Sequence, residues 1–282
     1  MSIPAPFQQV WGTNGVMESS FPRQITVAAC QVRPGSDVDE NLELARRSVA
    51  DAAARGAQIV VLPEATMVRF GVDPRPVAQP LDGPFAEGVR AVAREFGVLV
   101  VVGMFTPSDD GRVFNTVLAT DGAAVEAHYD KVHLFDAYGT RESERTAPGR
   151  EYVTFEALGT RIGLAACYDV RFADQFTAMG RAGAELVLLP TAWADGPRKT
   201  EQWELLVRAR AMDAQAFVVG CDTAFTADVK LSFGVGHSLV AGPLGEVMGD
   251  VAGADPEVVL RTIDLAVAEK ARAAVPILGA DR

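Results

Sequence analysis

The chain has 282 residues, 49% of them hydrophobic, enough to bury one large core or two ordinary ones. Its formal charge of −11 repels phosphate backbones and anionic lipid, which argues against nucleic acid and membranes as partners. No stretch approaches ~18 uncharged apolar residues, and the first twenty lack the basic start and apolar run of a secretory signal.

Residues 1–24, rich in Gln, Gly, Pro and Ser, read as an irregular N-terminal arm. A first strand is expected over Ile25–Cys30. A helix follows from Asp39 to Arg55, with Leu42, Ala45, Val49 and Ala53 at helical spacing and Gly56 where a C-terminal cap belongs. Next come a strand at Gln58–Leu62, a helix at Gly83–Phe96 with Phe85, Val89, Val92 and Phe96 on one face, and strands at Val98–Phe105 and Val113–Thr120. The second half predicts strands at Arg161–Ala166 and Glu185–Leu189. It continues with a helix over Gln202–Ala214 carrying Trp203, Leu206, Ala209 and Met212, then strands at Ala216–Cys221 and Val235–Val240. Apolar runs alternating with helical patterns make this an α/β protein.

The order is written twice. Gly56-Ala57-Gln58-Ile59-Val60-Val61-Leu62-Pro63-Glu64-Ala65 returns as Gly183-Ala184-Glu185-Leu186-Val187-Leu188-Leu189-Pro190-Thr191-Ala192, and Ala28-Ala29-Cys30 returns as Ala165-Ala166-Cys167. Two similar half-domains packed sheet to sheet, with helices outside, form a four-layer α-β-β-α sandwich. Cys30 and Cys167 would then end equivalent strands, as would Glu64 and Thr191. Chemistry drawing a thiol from one half and a carboxylate from the other needs a site at the seam. Two unrelated units sharing a strand-then-Pro ending are the plainer alternative.

Cys30, Cys167 and Cys221 are widely spaced, with no CxxC pair, and His128, His133 and His237 have no HExxH spacing. No disulfide framework, metal or cofactor is expected, and a reduced, cytoplasmic protein fits. Pro63 stops an apolar strand and delivers Glu64 to the carboxyl edge of a sheet, where it is either a working carboxylate or a cap or ion-pair partner. Cys167 follows another apolar strand, where a turn could offer both sulfur and backbone N–H groups to a cleft, although a lone Cys is commonly a small buried hydrophobe. Lys131, between apolar and aromatic neighbours, could equally be a snorkelling surface residue. His133 and His237 remain alternative bases.

Together, Leu62-Pro63-Glu64, Asp130-Lys131-Val132-His133 and Ala166-Cys167-Tyr168-Asp169, in that order, resemble the three signature segments of the nitrilase (carbon–nitrogen hydrolase) superfamily. The likeness runs from about Ile25 to Pro276. It implies a Glu64–Lys131–Cys167 triad, a second active-site carboxylate at Glu142, and an oxyanion held by Lys131 and the Tyr168 backbone. It also implies a hydrolase domain at 25–270, with a tail at 271–282 that contacts a second copy in a homodimer or higher assembly.

Cys167-Tyr168-Asp169-Val170-Arg171-Phe172, and Gly196-Pro197 leading to Gln202-Trp203-Glu204, are similar to the branch containing omega-amidase and deaminated glutathione amidase. That branch commonly reads Pro-Glu after Arg-Phe, where this chain has Ala173-Asp174. The chain also carries an unusual Trp193-Ala194-Asp195. The likeness implies hydrolysis of a small-molecule amide through a cysteine thioester, with Lys131 lowering the pKa of the thiol. Nitrilase and N-carbamoyl hydrolase activities would use the same triad, and an inactive scaffold is the alternative of another class. Arg171 either grips a substrate carboxylate or pairs with Asp169 or Asp174; Trp193 and Phe70 either shape the pocket or simply pack.

Overall fold

Side-chain alternation along the strands sets the layering. The computed structural model describes residues 23–226, 233–251 and 253–279. In chain order these form β1 (Gln24–Gln31), α1 (Val38–Ala54), β2 (Ile59–Val61), α2 (Pro84–Phe96), β3 (Leu99–Pro107), β4 (Val113–Thr120) and β5 (Glu126–Asp130). The second half has β6 (Val153–Ala157), β7 (Thr160–Leu164), α3 (Ala173–Arg181), β8 (Leu186–Pro190), α4 (Lys199–Ala214), β9 (Phe217–Cys221), β10 (Leu239–Ala241) and β11 (Val247–Asp250). Then follow β12 (Glu257–Asp264) and α5 (Ala266–Ala274).

One six-stranded sheet runs β12-β1-β2-β3-β4-β5 and the other β11-β10-β9-β8-β7-β6. Along β1, Val27 and Ala29 join the core between the sheets, while Ala28 and Cys30 join the core against α1 and α2. Along β7, Ile162 and Leu164 face the other sheet, and Ala165 just beyond the strand packs toward α3 and α4. Period-two alternation thus yields three apolar seams between four layers. This is the expected four-layer α-β-β-α sandwich, built from two similar halves.

The halves differ at one edge. The second half supplies its own flanking strand, because β6 precedes β7 in a hairpin. The first borrows β12, which pairs antiparallel with β1 along its whole length, from Gln24↔Asp264 to Gln31↔Glu257.

Several expected boundaries move, two of them for a hydrogen-bonding reason. The strand expected to reach Ala166 ends at Leu164, because the Asp169 carboxylate accepts the Ala166 N–H at 2.8 Å. The strand expected from Val235 begins at Leu239, because Asp222 captures the N–H groups of Val235 and Gly236 at 2.9 and 3.1 Å. The third helix starts at Lys199 rather than Gln202. Its buried stripe is Trp203, Val207, Ala211 and Ala214, leaving Met212 exposed. β1 begins at Gln24, inside the expected arm, and Arg23 is tied to Glu185 at 2.7 Å; the arm up to residue 22 lies outside the described residues. No helix among the described residues is long and apolar enough to cross a membrane.

Candidate active site

Glu64, Lys131 and Cys167 each sit just past a strand end, and all three line one cavity of about 430 Å³. Glu64 is held by backbone crowding. The Gly103 N–H donates to the Pro63 carbonyl at 3.2 Å, and a Cβ on Gly103 would stand 2.8 Å from the Glu64 Cα. Only glycine lets β3 approach the Glu64 backbone so closely. Lys131 follows β5 in the same way: Gly149 donates to the Lys131 carbonyl at 2.9 Å, and a side chain there would strike Asp130.

Both charges are buried, each about 1% exposed, and buried charge is tolerated only when paired. The Lys131 ammonium donates to Glu64 Oε1 at 2.8 Å and to Glu142 Oε2 at 3.0 Å. Asn115, pointing from β4, donates to the same Glu64 oxygen at 2.8 Å and to Glu142 Oε1 at 3.1 Å. The Ala192 N–H, from the other half, reaches Glu64 Oε2 at 3.1 Å. Glu142 opens a single helical turn beside the cavity and is fixed by the Phe135 N–H at 2.7 Å. This arrangement leaves each donor and acceptor in a single orientation, the precondition for directed proton transfer.

Cys167 begins a one-turn helix, Cys167–Arg171, with φ at 44°, a left-handed conformation that costs a non-glycine residue about 1–3 kcal/mol. Asp169 sustains that strain. Besides the Ala166 N–H, its carboxylate accepts the Tyr129 hydroxyl at 2.7 Å, the His133 N–H at 3.2 Å and the His133 ring Nδ1 at 2.8 Å. Tyr129 and His133 flank Lys131, so Asp169 ties the cysteine turn of one half to the lysine segment of the other. Tyr168 is the second residue of the turn, and its N–H therefore has no acceptor within it.

Electrostatics corrects one expectation. Burial raises the Glu64 carboxyl above its usual range; Lys131 opposes this and Glu142 adds to it. Burial disfavours the Lys131 ammonium, but the Glu142 and Glu64 carboxylates outweigh that and hold it well above its ordinary value. The expected lowering of the Cys167 thiol by Lys131 is only a counter-current. Burial first, then the Glu64 carboxylate, raise the thiol well above its ordinary value.

Trp193 and Phe70 line the cavity with Phe135 and Tyr168. Arg171 is placed otherwise than either expectation. It makes no ion pair with Asp169 or Asp174; its guanidinium donates to Gln202 Oε1 at 2.9 Å and lies 4.8 Å from the Trp193 ring, off the cavity wall. His237 stands 3.9 Å from Glu204 and away from the cavity, and His133 is engaged by Asp169. Among the described residues no group of three or more His, Cys, Asp or Glu side chains is arranged to hold a metal ion. Sequence reasoning missed Asn115, Asp169 and Lys199. For the first two a signal existed: a polar residue inside the buried run Val113–Thr120, and a carboxylate two residues after an apolar strand and its cysteine.

Residues 26–273 match the carbon–nitrogen hydrolase family model. The chain is 45% identical over 263 residues to a hydrolase of Mycobacterium tuberculosis, covering 89% of this chain and 94% of that one. It is 35% identical over 249 residues to the omega-amidase of Xenopus tropicalis, covering 84% and 88%. Among solved structures, the amidase from Nesterenkonia sp., of the nitrilase superfamily, superposes with a TM-score of 0.75 at 27% identity, over 89% of this chain and 95% of that one. In one form of that enzyme the acetamide moiety of fluoroacetamide is covalently added at the active-site cysteine.

Proposed function

Since the chain belongs to the carbon–nitrogen hydrolase family of the nitrilase superfamily, we propose that it hydrolyses small amides to a carboxylic acid and ammonia through a thioester on Cys167. The reaction class, hydrolysis of carbon–nitrogen bonds outside peptides, goes with its amidase relatives. The observation that carries the finer reading is the buried Glu64–Lys131–Glu142 cluster facing Cys167 in a cavity of small-molecule size.

In this reading Glu64 takes the thiol proton as the sulfur attacks the amide carbonyl carbon. The oxyanion is held by the Lys131 ammonium and the Tyr168 backbone N–H. Protonated Glu64 passes its proton to the departing nitrogen; the C–N bond breaks, ammonia leaves and the acyl group stays on sulfur. Glu64 then removes a proton from water, whose oxygen attacks the thioester. The C–S bond breaks, and the proton on Glu64 returns to the leaving sulfur. One carboxylate acting alternately as base and acid must titrate near working pH, and a carboxyl raised by burial supports that use. Glu142 orients Lys131. The acetamide moiety carried by the active-site cysteine in a mutant of the Nesterenkonia amidase supports a nucleophilic cysteine at this place in the fold.

Two further parts of the proposal concern setting. Three unpaired cysteines support a reducing, cytoplasmic location. The tail 271–282 would contact a second copy, since Val275 and Ile277 are left exposed while Arg272 anchors the segment to the Gln215 carbonyl at 3.2 Å; residues 280–282 of it lie outside the described residues. Light scattering at micromolar concentration should give a multiple of the 29.9 kDa chain mass. The deciding experiment is ammonia release from matched amide, nitrile and carbamoyl substrates, with acid-quenched peptides weighed for acylated Cys167. Turnover of nitriles alone, carbon dioxide release, or an acyl group on another residue would each overturn this reading.

A further inference from the structure

Two lysines line the cavity, and they are treated differently. Lys131 is neutralised by two carboxylates. Lys199, the first residue of α4, is 8% exposed, and among the described residues its ammonium makes no hydrogen bond or ion pair. Instead it is surrounded by rings: its Nζ lies 4.2 Å from the Tyr138 centroid, 5.4 Å from Trp193 and 5.9 Å from Phe135. Its backbone is built into the wall, because its carbonyl accepts the Trp193 indole N–H at 3.0 Å. Arg198, with φ at 60°, turns the chain into the helix immediately before it.

Aromatic faces compensate a buried cation in part. They accept none of its three N–H groups directionally, which leaves those donors to whatever enters the cavity. Burial lowers the ammonium's pKa, and the nearby Arg171 lowers it further. A cation kept in such a place, with no hydrogen-bond acceptor among the described residues and facing an open cavity, is a site awaiting an anion. Lys199 and Cys167 line the same cavity of about 430 Å³, so one bound molecule can meet both.

Resting on the amidase reading above, we infer that Lys199 is a specificity-determining residue that binds a carboxylate at the far end of the substrate's acyl chain. Lys199 thus takes the role first considered for Arg171, whose guanidinium is committed to Gln202 and off the cavity wall. Trp193 and Phe135 line the methylene path between the carboxylate and the reacting amide. Tyr138, 74% exposed, covers the ammonium from the solvent side.

The test compares succinamate and glutaramate with the neutral amides butyramide and pentanamide, in wild type and in Lys199→Met, which keeps an unbranched stem and removes the charge. The ratio of kcat/KM for carboxylated over neutral amides should fall on the order of 100-fold, carried by KM, and Lys199→Arg should recover part of it. Equal losses on both amide classes, or an unchanged ratio, would overturn the assignment. Glutarate titrated against Trp fluorescence supplies an activity-independent arm, in which wild type should bind and Lys199→Met should not. Equal binding by both overturns the role of Lys199. If wild type cleaves no amide yet binds glutarate through Lys199, the amidase reading fails and the anion site stands. Should Lys199→Met melt early, Lys199→Gln gives the same comparison with a polar neutral side chain.

Discussion

Cys30 and Cys167 both follow Ala-Ala in equivalent strands, yet they are entirely different thiols. Cys30 lies inside β1, paired with Val258, and its sulfur turns toward α1, 3.9 Å from the Ser48 carbonyl. Cys167 lies beyond the end of β7, on a strained turn opening to the cavity. Alternation would have aimed both toward the outer helices, since Cys30 and Cys167 have the same parity as Ala28 and Ala165. What differs is how the strand stops. Two residues after Cys167 stands Asp169, whose side chain takes the Ala166 N–H; two residues after Cys30 stands Val32, whose side chain has no acceptor to offer a backbone donor. β12 also holds β1 in the ladder as far as Gln31, whereas β6 releases β7 at Leu164. A single acceptor and a shorter partner strand convert a packing residue into one presented to a cavity.

The same contrast holds for Glu64 and Thr191, which follow β2 and β8. Glu64 carries charge into the seam, and Thr191 closes on its own backbone, bonding the Leu189 carbonyl at 3.1 Å.

The comparison breaks most sharply at the cysteines. Cys167→Ala should lose at least about 10⁴-fold in turnover, and Cys30→Ala should keep its turnover. Near neutral pH, iodoacetamide should modify one site per chain, on the peptide containing Cys167. Thiol pKa does not provide that selectivity, because burial pushes Cys30 up to about 12 and raises Cys167 as well. Access to the cavity and the adjacent Glu64 base do. Labelling of Cys30 or Cys221 first, or an active Cys167→Ala, would remove the nucleophile from the scheme. Next, Glu64→Gln should cost about 10²–10⁴-fold in both acylation and deacylation. Stopped-flow accumulation of acyl-enzyme at the wild-type rate would show that one carboxylate does not serve both steps. Lys131→Ala should cost about 10²–10³-fold, and near-normal turnover would strip Lys131 of any role at the oxyanion.

Smallest in free energy, and most specific to the comparison, is Asp169→Val, which writes the residue of the first half into the second. It leaves the Ala166 N–H and the Tyr129 hydroxyl without their acceptor and should lower stability by about 2–4 kcal/mol. Turnover should fall with kcat rather than KM, since the turn presenting Cys167 is no longer fixed. A denaturation midpoint and kcat both at wild-type values would mean the strand ends at Leu164 for another reason.

Much of this was legible in the sequence because period and repeat are local. The apolar runs located the core strands, and the duplicated Gly-Ala-strand-Pro segment predicted two sheets with a seam between them. The residues that organise the site were harder to find. Asn115 sits in a strand whose other residues read as ordinary core, and its importance depends on Glu64 and Glu142 meeting it from 51 and 27 residues away. β5, β6, β11 and β12 were missed because partly exposed strands mix charge into their alternation, as in Glu126-Ala127-His128-Tyr129-Asp130. Arg171 was overvalued because it is close to Cys167 in sequence. Lys199 was overlooked because the helix was expected to begin three residues later, which left it in a loop.

The borrowed strand β12 also bears on how the protein folds as it is made. A nascent chain that has emerged as far as Asp250 holds every strand of the second sheet, and that sheet can close with local pairings. The first sheet, although translated earlier, leaves the outer edge of β1 bare until Glu257–Asp264 emerge more than two hundred residues later, a contact of very high sequence separation. Until then β1 is an open template for another chain. Cellular yield should therefore be most sensitive to substitutions in β12, a strand that touches none of the reacting groups.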